Sequence, residues 1–273
     1  MLFHDGGSGG GSRRHAARRR IPGACMSGIA AIMLPRTETP CTVGIGDCVV
    51  SAVSVEAVAR RENDHVYLAR MFGSTERERL HGLRLAKRRR EWMAGRVAAK
   101  AALQHLHAQA GAESPLHALV IGNSSAEHNR GQPVAAGFHV SISHSQGYAV
   151  AAASAYPVGI DIERVRPFPD AAREMAFTAH ELRVSAAGGD AVCTAVWAFK
   201  EAFMKAHGKS IFGWFADIEL EAIGCDGRLS WRVSPRLVAQ LPSSQGSQLS
   251  GYGGLIGDYA LALVGQCVSH GHG

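Results

Sequence analysis

The chain has 273 residues, of which 46% are hydrophobic and 19% charged, so it is neither a disordered nor a fibrous protein and has room for two domains. No uncharged apolar run approaches the roughly 18 residues that a membrane-spanning helix needs. The formal net charge is +6, but the first 20 residues hold five arginines and one aspartate. Most of the positive excess therefore lies in that segment, and the charge of the whole chain is weak evidence for nucleic-acid binding.

Residues 1–25 combine a Gly/Ser-rich stretch with an arginine cluster, a composition typical of a disordered tail. Two alternatives stay open: an arm that binds nucleic acid or another acidic surface, and an upstream start with Met26 as the true first residue. The basic residues are not followed by the apolar stretch of a secretory signal. The six cysteines form no C-x-x-C pair, so we expect free thiols, a cytoplasmic location and no structural zinc site.

We expect an N-terminal half over residues 26–155 and a C-terminal half over 156–273, separated at Tyr156-Pro157. In the first half, the pattern predicts β structure over about 41–54 and one helical region over about 74–110. A loop rich in Gly, Asn and Ser follows over 122–137, and two strands are predicted at 139–143 and 148–153.

The second half opens with a predicted strand over 158–165. A capping box at Thr178 and Glu181 predicts the start of a helix, and a second helix over about 190–207 ends at Gly208. Strands are predicted over 215–223, 229–233 and 258–264, with a loop over 242–254. This order indicates an α+β protein in which each half has helices and mostly antiparallel strands. No sequence similarity between the halves is visible.

One apolar residue separates Asp161 from Glu163 in the strand over 158–165, so both carboxylates lie on one face. Two acids in an otherwise apolar strand repel each other and lose hydration, which favours a compensating cation such as Mg²⁺. The alternative is a strand edge where solvated acids pair with Arg164 or Arg166.

Within WAFKEAFMKAHGK, the residues Trp197, Glu201 and Lys205 recur every four positions along one side of a helix. Glu201 is a candidate third oxygen ligand, and Lys200 and Lys205 offer positive charge to a phosphate. The alternative is an ordinary surface ion pair between Glu201 and Lys205, worth only about 0.3–0.5 kcal/mol.

The helix of the first half carries Arg89, Arg96 and Lys100 on one face. This row is either a phosphate clamp or a solvated charged face. Ser143 and His144 are neighbours at a strand end and point to opposite faces, so they do not form a nucleophile–base pair. His144 is a candidate donor to a phosphate or a ribose, or else a structural histidine at a turn.

Taken together and in this order, five segments resemble the 4′-phosphopantetheinyl transferase family. They are REWMAGRVAAK (90–100), GQPVAAGFHVSISHS (131–145), VGIDIERV (158–165), FTAHE (177–181) and WAFKEAFMKAHGKS (197–210). The most specific part is G-I-D-I-E followed by W-x-x-K-E-x-x-x-K about forty residues later. The resemblance is to the larger class, which has two similar α+β halves side by side in a monomeric chain.

The resemblance implies transfer of the phosphopantetheine arm of coenzyme A to a serine of an apo acyl or peptidyl carrier protein, with release of adenosine 3′,5′-bisphosphate. It implies that Asp161, Glu163 and Glu201 bind Mg²⁺ and that Lys205 contacts phosphate. Glu201 is also the expected base for the incoming serine, directly or through water. The residues expected to bind coenzyme A are Arg89, Arg96, Lys100, Gln132, Ser143, His144 and Lys200.

One position departs from the family pattern, because many relatives carry a lysine where this chain has Gln132. Arg130 is a candidate replacement for that charge. The alternative function is a basic nucleic-acid-binding module that uses the arginine-rich tail and the helix over 84–100. The small net charge of the chain after residue 20 argues against it. The sequence leaves open which carrier is loaded, and whether the acceptor is another hydroxyl.

Overall fold

The structure is a computed structural model that describes residues 28–125, 131–208, 213–241 and 249–266. Its helices are α1 (Val55–Ala59), α2 (His65–Met71), α3 (Ser74–His81), α4 (Ala86–Gln109), α5 (Asp170–Ala176), α6 (Ala179–Ala206) and α7 (Pro235–Val238). Its strands are β1 (Cys41–Ile45), β2 (Cys48–Ser54), β3 (Gly122–Asn123), β4 (Pro133–Ala135), β5 (Phe138–Ser145), β6 (Tyr148–Ser154), β7 (Val158–Arg164), β8 (Ile218–Ile223), β9 (Leu229–Val233), β10 (Leu249–Ile256) and β11 (Tyr259–Gln266).

Three antiparallel sheets organise the described residues. The first has six strands in the order β1-β2-β6-β5-β4-β3, the second has three in the order β10-β11-β7, and the third is the β8-β9 pair. Helix α4 packs on the first sheet and α6 on the second. The α+β class expected from the sequence is confirmed. No helix in the described part of the chain is long and apolar enough to cross a membrane.

Small side chains let α4 lie close to its sheet. Strand β6 contributes three buried alanines to the same hydrophobic core as Ala94, Ala98, Ala99 and Ala102 of α4. Gly95 has no room for a side chain, because a Cβ there would lie 2.8 Å from the Cγ2 atom of Ile142. Gly95 therefore lets α4 lie close against β5.

A buried ion pair anchors the long helix of the C-terminal half. The Lys200 ammonium donates to Glu181 Oε2 at 2.6 Å and to two main-chain carbonyl oxygens at 2.7 and 2.8 Å. Glu181 also accepts from the backbone N–H groups of Thr178 and Leu220, both at 2.8 Å. The Lys200 Nζ atom lies 5.6 Å from the centre of the Phe177 ring. One carboxylate thus joins the start of α6, its own later turns and strand β8.

The N-terminal half repeats this arrangement. Lys100 Nζ donates to Glu76 Oε2 at 2.7 Å and lies 5.7 Å from the centre of the Phe72 ring. Glu76 accepts from the backbone N–H groups of Gly73 at 3.1 Å and Ile121 at 3.3 Å. The shared signature is Phe-x-x-x-Glu followed by a lysine in the next long helix. Each half thus has this short motif with its lysine, although extended sequence similarity between the halves is not visible.

Several predicted boundaries are corrected by the structure. The helical region expected over 74–110 consists of two helices, α3 and α4. The two helices expected in the second half are confirmed: both lie within α6, and Gly189 separates them with a non-helical backbone (φ 64°, ψ −158°). Residues 249–256 form strand β10 rather than a loop, and the loop predicted over 122–137 contains the short strands β3 and β4. The predicted tail over residues 1–25 lies outside the described residues.

Breaking one of these buried pairs should destabilise the fold. Lys200→Met leaves Glu181 buried without its cation, so we expect the free energy of unfolding in urea to fall by about 3–5 kcal/mol. Arg232→Ala is the control, because Arg232 pairs with Glu219 at the surface and is 70% exposed. We expect that change to cost less than about 1 kcal/mol. A Lys200→Met protein as stable as the parent would contradict this role.

Candidate active site

The close approach of β7 to α6 depends on a glycine. A Cβ on Gly159 would lie 1.9 Å from the carbonyl oxygen of Ala202 and 2.5 Å from the backbone nitrogen of Ala206. Because side chains alternate along a strand, Asp161 and Glu163 lie on the same face as Gly159. The opposite face carries Ile160 and Ile162, which are buried in the core cluster that also includes β2 and β6. The strand therefore presents its two acids to the helix.

Lys205 joins acidic residues from the strand and from the helix. Its Nζ atom lies 2.6 Å from Asp161 Oδ1 and 3.4 Å from Glu201 Oε2, and it also donates to the Ile160 carbonyl oxygen at 3.4 Å. Glu201 and Asp161 therefore lie on the same side of the molecule, as the sequence predicts. Burial tends to lower the pKa of Lys205, but the charges of Asp161 and Glu201 raise it overall. The ammonium group stays protonated at neutral pH.

Asp161 is the most enclosed of the three acids, with 1% of its surface exposed. Its Oδ1 atom accepts from the Ser143 hydroxyl and from Lys205, each at 2.6 Å. Its Oδ2 atom is buried and has no hydrogen-bond partner among the described residues. Burial raises the pKa of Asp161, and Lys205 and Ser143 oppose that shift. A buried oxygen without a donor is a place where a cation would be stabilised.

Apart from the contact of Lys205 with Glu201, each of the other two acids has one side-chain donor. The Ser145 hydroxyl donates to Glu163 Oε2 at 2.9 Å, and the Trp197 indole donates to Glu201 Oε1 at 3.0 Å. Burial raises the pKa of both carboxyls, and the charge of Glu201 adds to the shift at Glu163. Burial is the largest cause of each shift, and a neighbouring carboxylate also raises the pKa of each acid, which indicates that negative charge is concentrated here.

The structure corrects the expectation that Lys100 and Lys200 contact coenzyme A. Both side chains are 0% exposed. An ammonium group has three N–H donors, and those of Lys200 all have acceptors within the protein. Burial lowers the pKa of each lysine, while its partner glutamate opposes the shift. These lysines hold the two long helices in place.

The predicted basic row on α4 is not an exposed face. Arg89 pairs with Glu62, and its guanidinium also donates to a main-chain carbonyl at 3.0 Å. Arg96 is buried, donates to Asn123 Oδ1 at 2.5 Å, and lies over the Trp92 ring at 5.2 Å. Burial lowers its pKa to about 10. Since each of these groups has a partner inside the protein, this row is not a solvated charged face.

Ser143 and His144 point to opposite sides of β5, as predicted. Ser143 faces Asp161, whereas the His144 ring is 46% exposed and its Nδ1 lies 3.9 Å from Glu91 Oε1. Gln132 is partly buried just before β4. Arg130, the candidate replacement for the missing lysine, lies outside the described residues. The coenzyme A contacts expected of Gln132, Ser143 and His144 stay predictions.

Sequence reasoning missed Ser141 and Ser145, although a signal for them exists. The segment SISHS places serines at alternate positions of β5, so Ser141, Ser143 and Ser145 share one face. That face contacts β7 through three separate hydroxyl groups. Alternating serines in an otherwise buried strand would have indicated a polar contact with a neighbouring element.

No three His, Cys, Asp or Glu side chains within the described ranges are already arranged to hold a metal ion. The Lys205 ammonium instead lies between Asp161 and Glu201. The donor set is nevertheless composed of carboxylate oxygens, which suit Mg²⁺. Oδ2 of Asp161 has no competing donor, which fits the binding of such an ion.

A side chain at residue 159 should separate the strand from the helix. We expect Gly159→Ala to lower the free energy of unfolding by about 1–3 kcal/mol, because its Cβ would overlap backbone atoms of α6. Gly44→Ala in β1 is a matched control, since a Cβ there has no described atom within 4 Å. Urea denaturation measures both. Equal stability of the two variants would contradict the close contact.

Comparisons with known proteins match the parts of the chain that form this site. The profile of the 4′-phosphopantetheinyl transferase superfamily matches residues 157–264, and that of the 4′-phosphopantetheinyl transferase N-terminal domain matches residues 79–154. The 4′-phosphopantetheinyl transferase psf-1 of Bacillus pumilus is 41% identical over 78 residues, which are 27% of this chain and 34% of that protein. The chain thus matches about a third of the length of this curated relative.

Two solved structures were also found. The ACPS–CoA complex of Chronobacterium ammoniagenes has 29% identity and a TM-score of 0.34, covering 41% of this chain and 96% of the other. The apo-ACPS structure has 28% identity and a TM-score of 0.33, covering 40% of this chain and 94% of the other.

Proposed function

The chain belongs to the 4′-phosphopantetheinyl transferase superfamily, and we propose that it transfers the phosphopantetheine arm of coenzyme A to a serine of an apo acyl or peptidyl carrier protein. The observation that carries this proposal is the contact of Lys205 with both Asp161 and Glu201 where β7 meets α6, with Glu163 two residues from Asp161 on the same face of the strand. One of the two solved structures is a complex with CoA, and for the present chain the binding of coenzyme A is a proposal.

We propose Mg²⁺ as the cofactor, with Asp161, Glu163 and Glu201 as the residues that would hold it. The unpartnered Oδ2 of Asp161 supports this assignment. A bound magnesium ion would neutralise charge on the diphosphate of coenzyme A. Since each carboxylate already has one oxygen fixed by a side-chain donor, the ligands are partly oriented before an ion binds.

In the proposed reaction, the serine oxygen of the carrier attacks the β-phosphorus of coenzyme A. The new bond is a phosphodiester between that oxygen and phosphorus, and the bond that breaks is the one to the bridging oxygen of the diphosphate. Glu201 accepts the proton of the hydroxyl, directly or through water. The leaving group, adenosine 3′,5′-bisphosphate, takes the bond electrons.

Lys205 stabilises the charge that develops on the leaving phosphate. Its ammonium lies against Asp161, Glu201 and the Ile160 carbonyl, so it would exchange one of these acceptors for a phosphate oxygen when the carboxylates bind the proposed ion. Catalysis of phosphoryl transfer is largely positioning and charge stabilisation, and it needs no protein nucleophile.

Partly exposed His144 is the proposed contact for the nucleotide end of coenzyme A. We also propose a cytoplasmic, monomeric enzyme.

Removing the charge of Asp161 tests this function. We expect Asp161→Asn to reduce transfer by at least about a hundredfold, because it weakens the ligand set and removes the anion that holds Lys205. The assay is mass spectrometry of apo carrier proteins incubated with the protein, coenzyme A and Mg²⁺, in which each transfer adds one phosphopantetheine arm.

Glu56→Gln is the control, since this carboxylate on α1 is 85% exposed and far in sequence from the site. It should load carriers at the parental rate. An Asp161→Asn protein that is folded and equally fast would overturn the proposed function.

A further inference from the structure

Three serines of β5 form a row of hydrogen bonds to β7. Ser141 Oγ accepts from the Ile160 backbone N–H at 3.0 Å. Two and four residues later, the hydroxyls of Ser143 and Ser145 donate to Asp161 and Glu163 at 2.6 and 2.9 Å. The strands belong to different sheets, so these side chains replace a backbone ladder between them.

The three serines do not have the same role. Ser141 and Ser145 each accept a backbone N–H of β7, that of Arg164 at 3.1 Å in the case of Ser145. Such bonds satisfy a strand edge that is not paired with another strand. Ser143 and Ser145 also donate to carboxylates, a contact that the structure does not give to Ser141. Within β5, contacts that only hold the strands together can therefore be separated from contacts that reach the carboxylates of the candidate site.

We propose that Ser143 and Ser145 are positioning residues that orient Asp161 and Glu163 for the bound cation, an inference that rests on the proposed function. Each hydroxyl fixes one carboxylate oxygen and leaves the second available. At Asp161 the second oxygen is the buried atom without a partner. Partners of metal ligands commonly set ligand orientation, and their loss weakens metal affinity by about 10–100-fold.

The row also makes the site depend on both parts of the chain. The carboxylates come from β7 and α6, whereas the hydroxyls come from β5 in the six-stranded sheet. All three serines are buried, so water does not readily replace a lost hydroxyl. Removal of one donor would let its carboxylate rotate, and the ligand set would lose part of its preorganisation.

Ser145 gives the clearest test, because Ser143 is also a predicted contact of coenzyme A. We expect Ser145→Ala to weaken Mn²⁺ binding at least about tenfold, as measured by electron paramagnetic resonance at fixed coenzyme A and without carrier. Ser141→Ala is the matched control, since it removes a backbone acceptor of β7 but no carboxylate contact. Ser145→Thr keeps a hydroxyl and should retain most of the affinity.

A double variant separates positioning from a general structural effect. If Ser145 acts through the carboxylate, Ser145→Ala should cause little further loss of Mn²⁺ affinity in a Glu163→Gln protein. If the parent protein binds Mn²⁺ and loads carriers, but the Ser145→Ala and Ser141→Ala proteins bind Mn²⁺ equally well, this inference alone is overturned. A parent that loads no carrier would overturn the proposed function instead.

Discussion

The carboxylate of Asp161 is almost inaccessible to water, so the surrounding protein must stabilise its charge. Lys205 supplies a cation, Ser143 supplies a hydrogen bond, and Gly159 lets the strand approach the helix that carries Lys205. Glu201 shares the Lys205 ammonium with Asp161, and Glu163 adds a third carboxylate on the same face of β7. This concentration of carboxylates suits the proposed divalent cation, which would in turn supply positive charge to the proposed diphosphate.

The two halves share a scaffold but not the acids. Glu76 with Lys100 and Glu181 with Lys200 anchor the long helices through equivalent contacts. Strand β2, which pairs with the second strand of a hairpin as β7 does, reads CVVSAVS and carries no acid. The N-terminal half instead contributes hydroxyls from β5 to the carboxylates of β7. The site is thus composed of unequal contributions from two similar folds.

Periodicity predicted those parts of the site that depend on one element. Spacing of two placed Asp161 and Glu163 on one face, and spacing of four aligned Glu201 with Lys205. It could not show that Lys200 is buried, because its partner Glu181 and the carbonyl acceptors come from other segments. The glycines of β10 suggested a loop, because the local sequence does not reveal the tertiary contact that they allow. A Cβ on Gly253 would lie 2.8 Å from Leu229.

The most direct test of the account is where a divalent ion binds. Crystals grown with Mn²⁺ and coenzyme A, measured near the manganese absorption edge, would locate the ion by its anomalous signal. The account predicts a peak within coordination distance of carboxylate oxygens of Asp161, Glu163 and Glu201, with the diphosphate beside Lys205. A fully occupied peak elsewhere on the protein, with Lys205 still paired to Asp161 and the diphosphate distant, would contradict it.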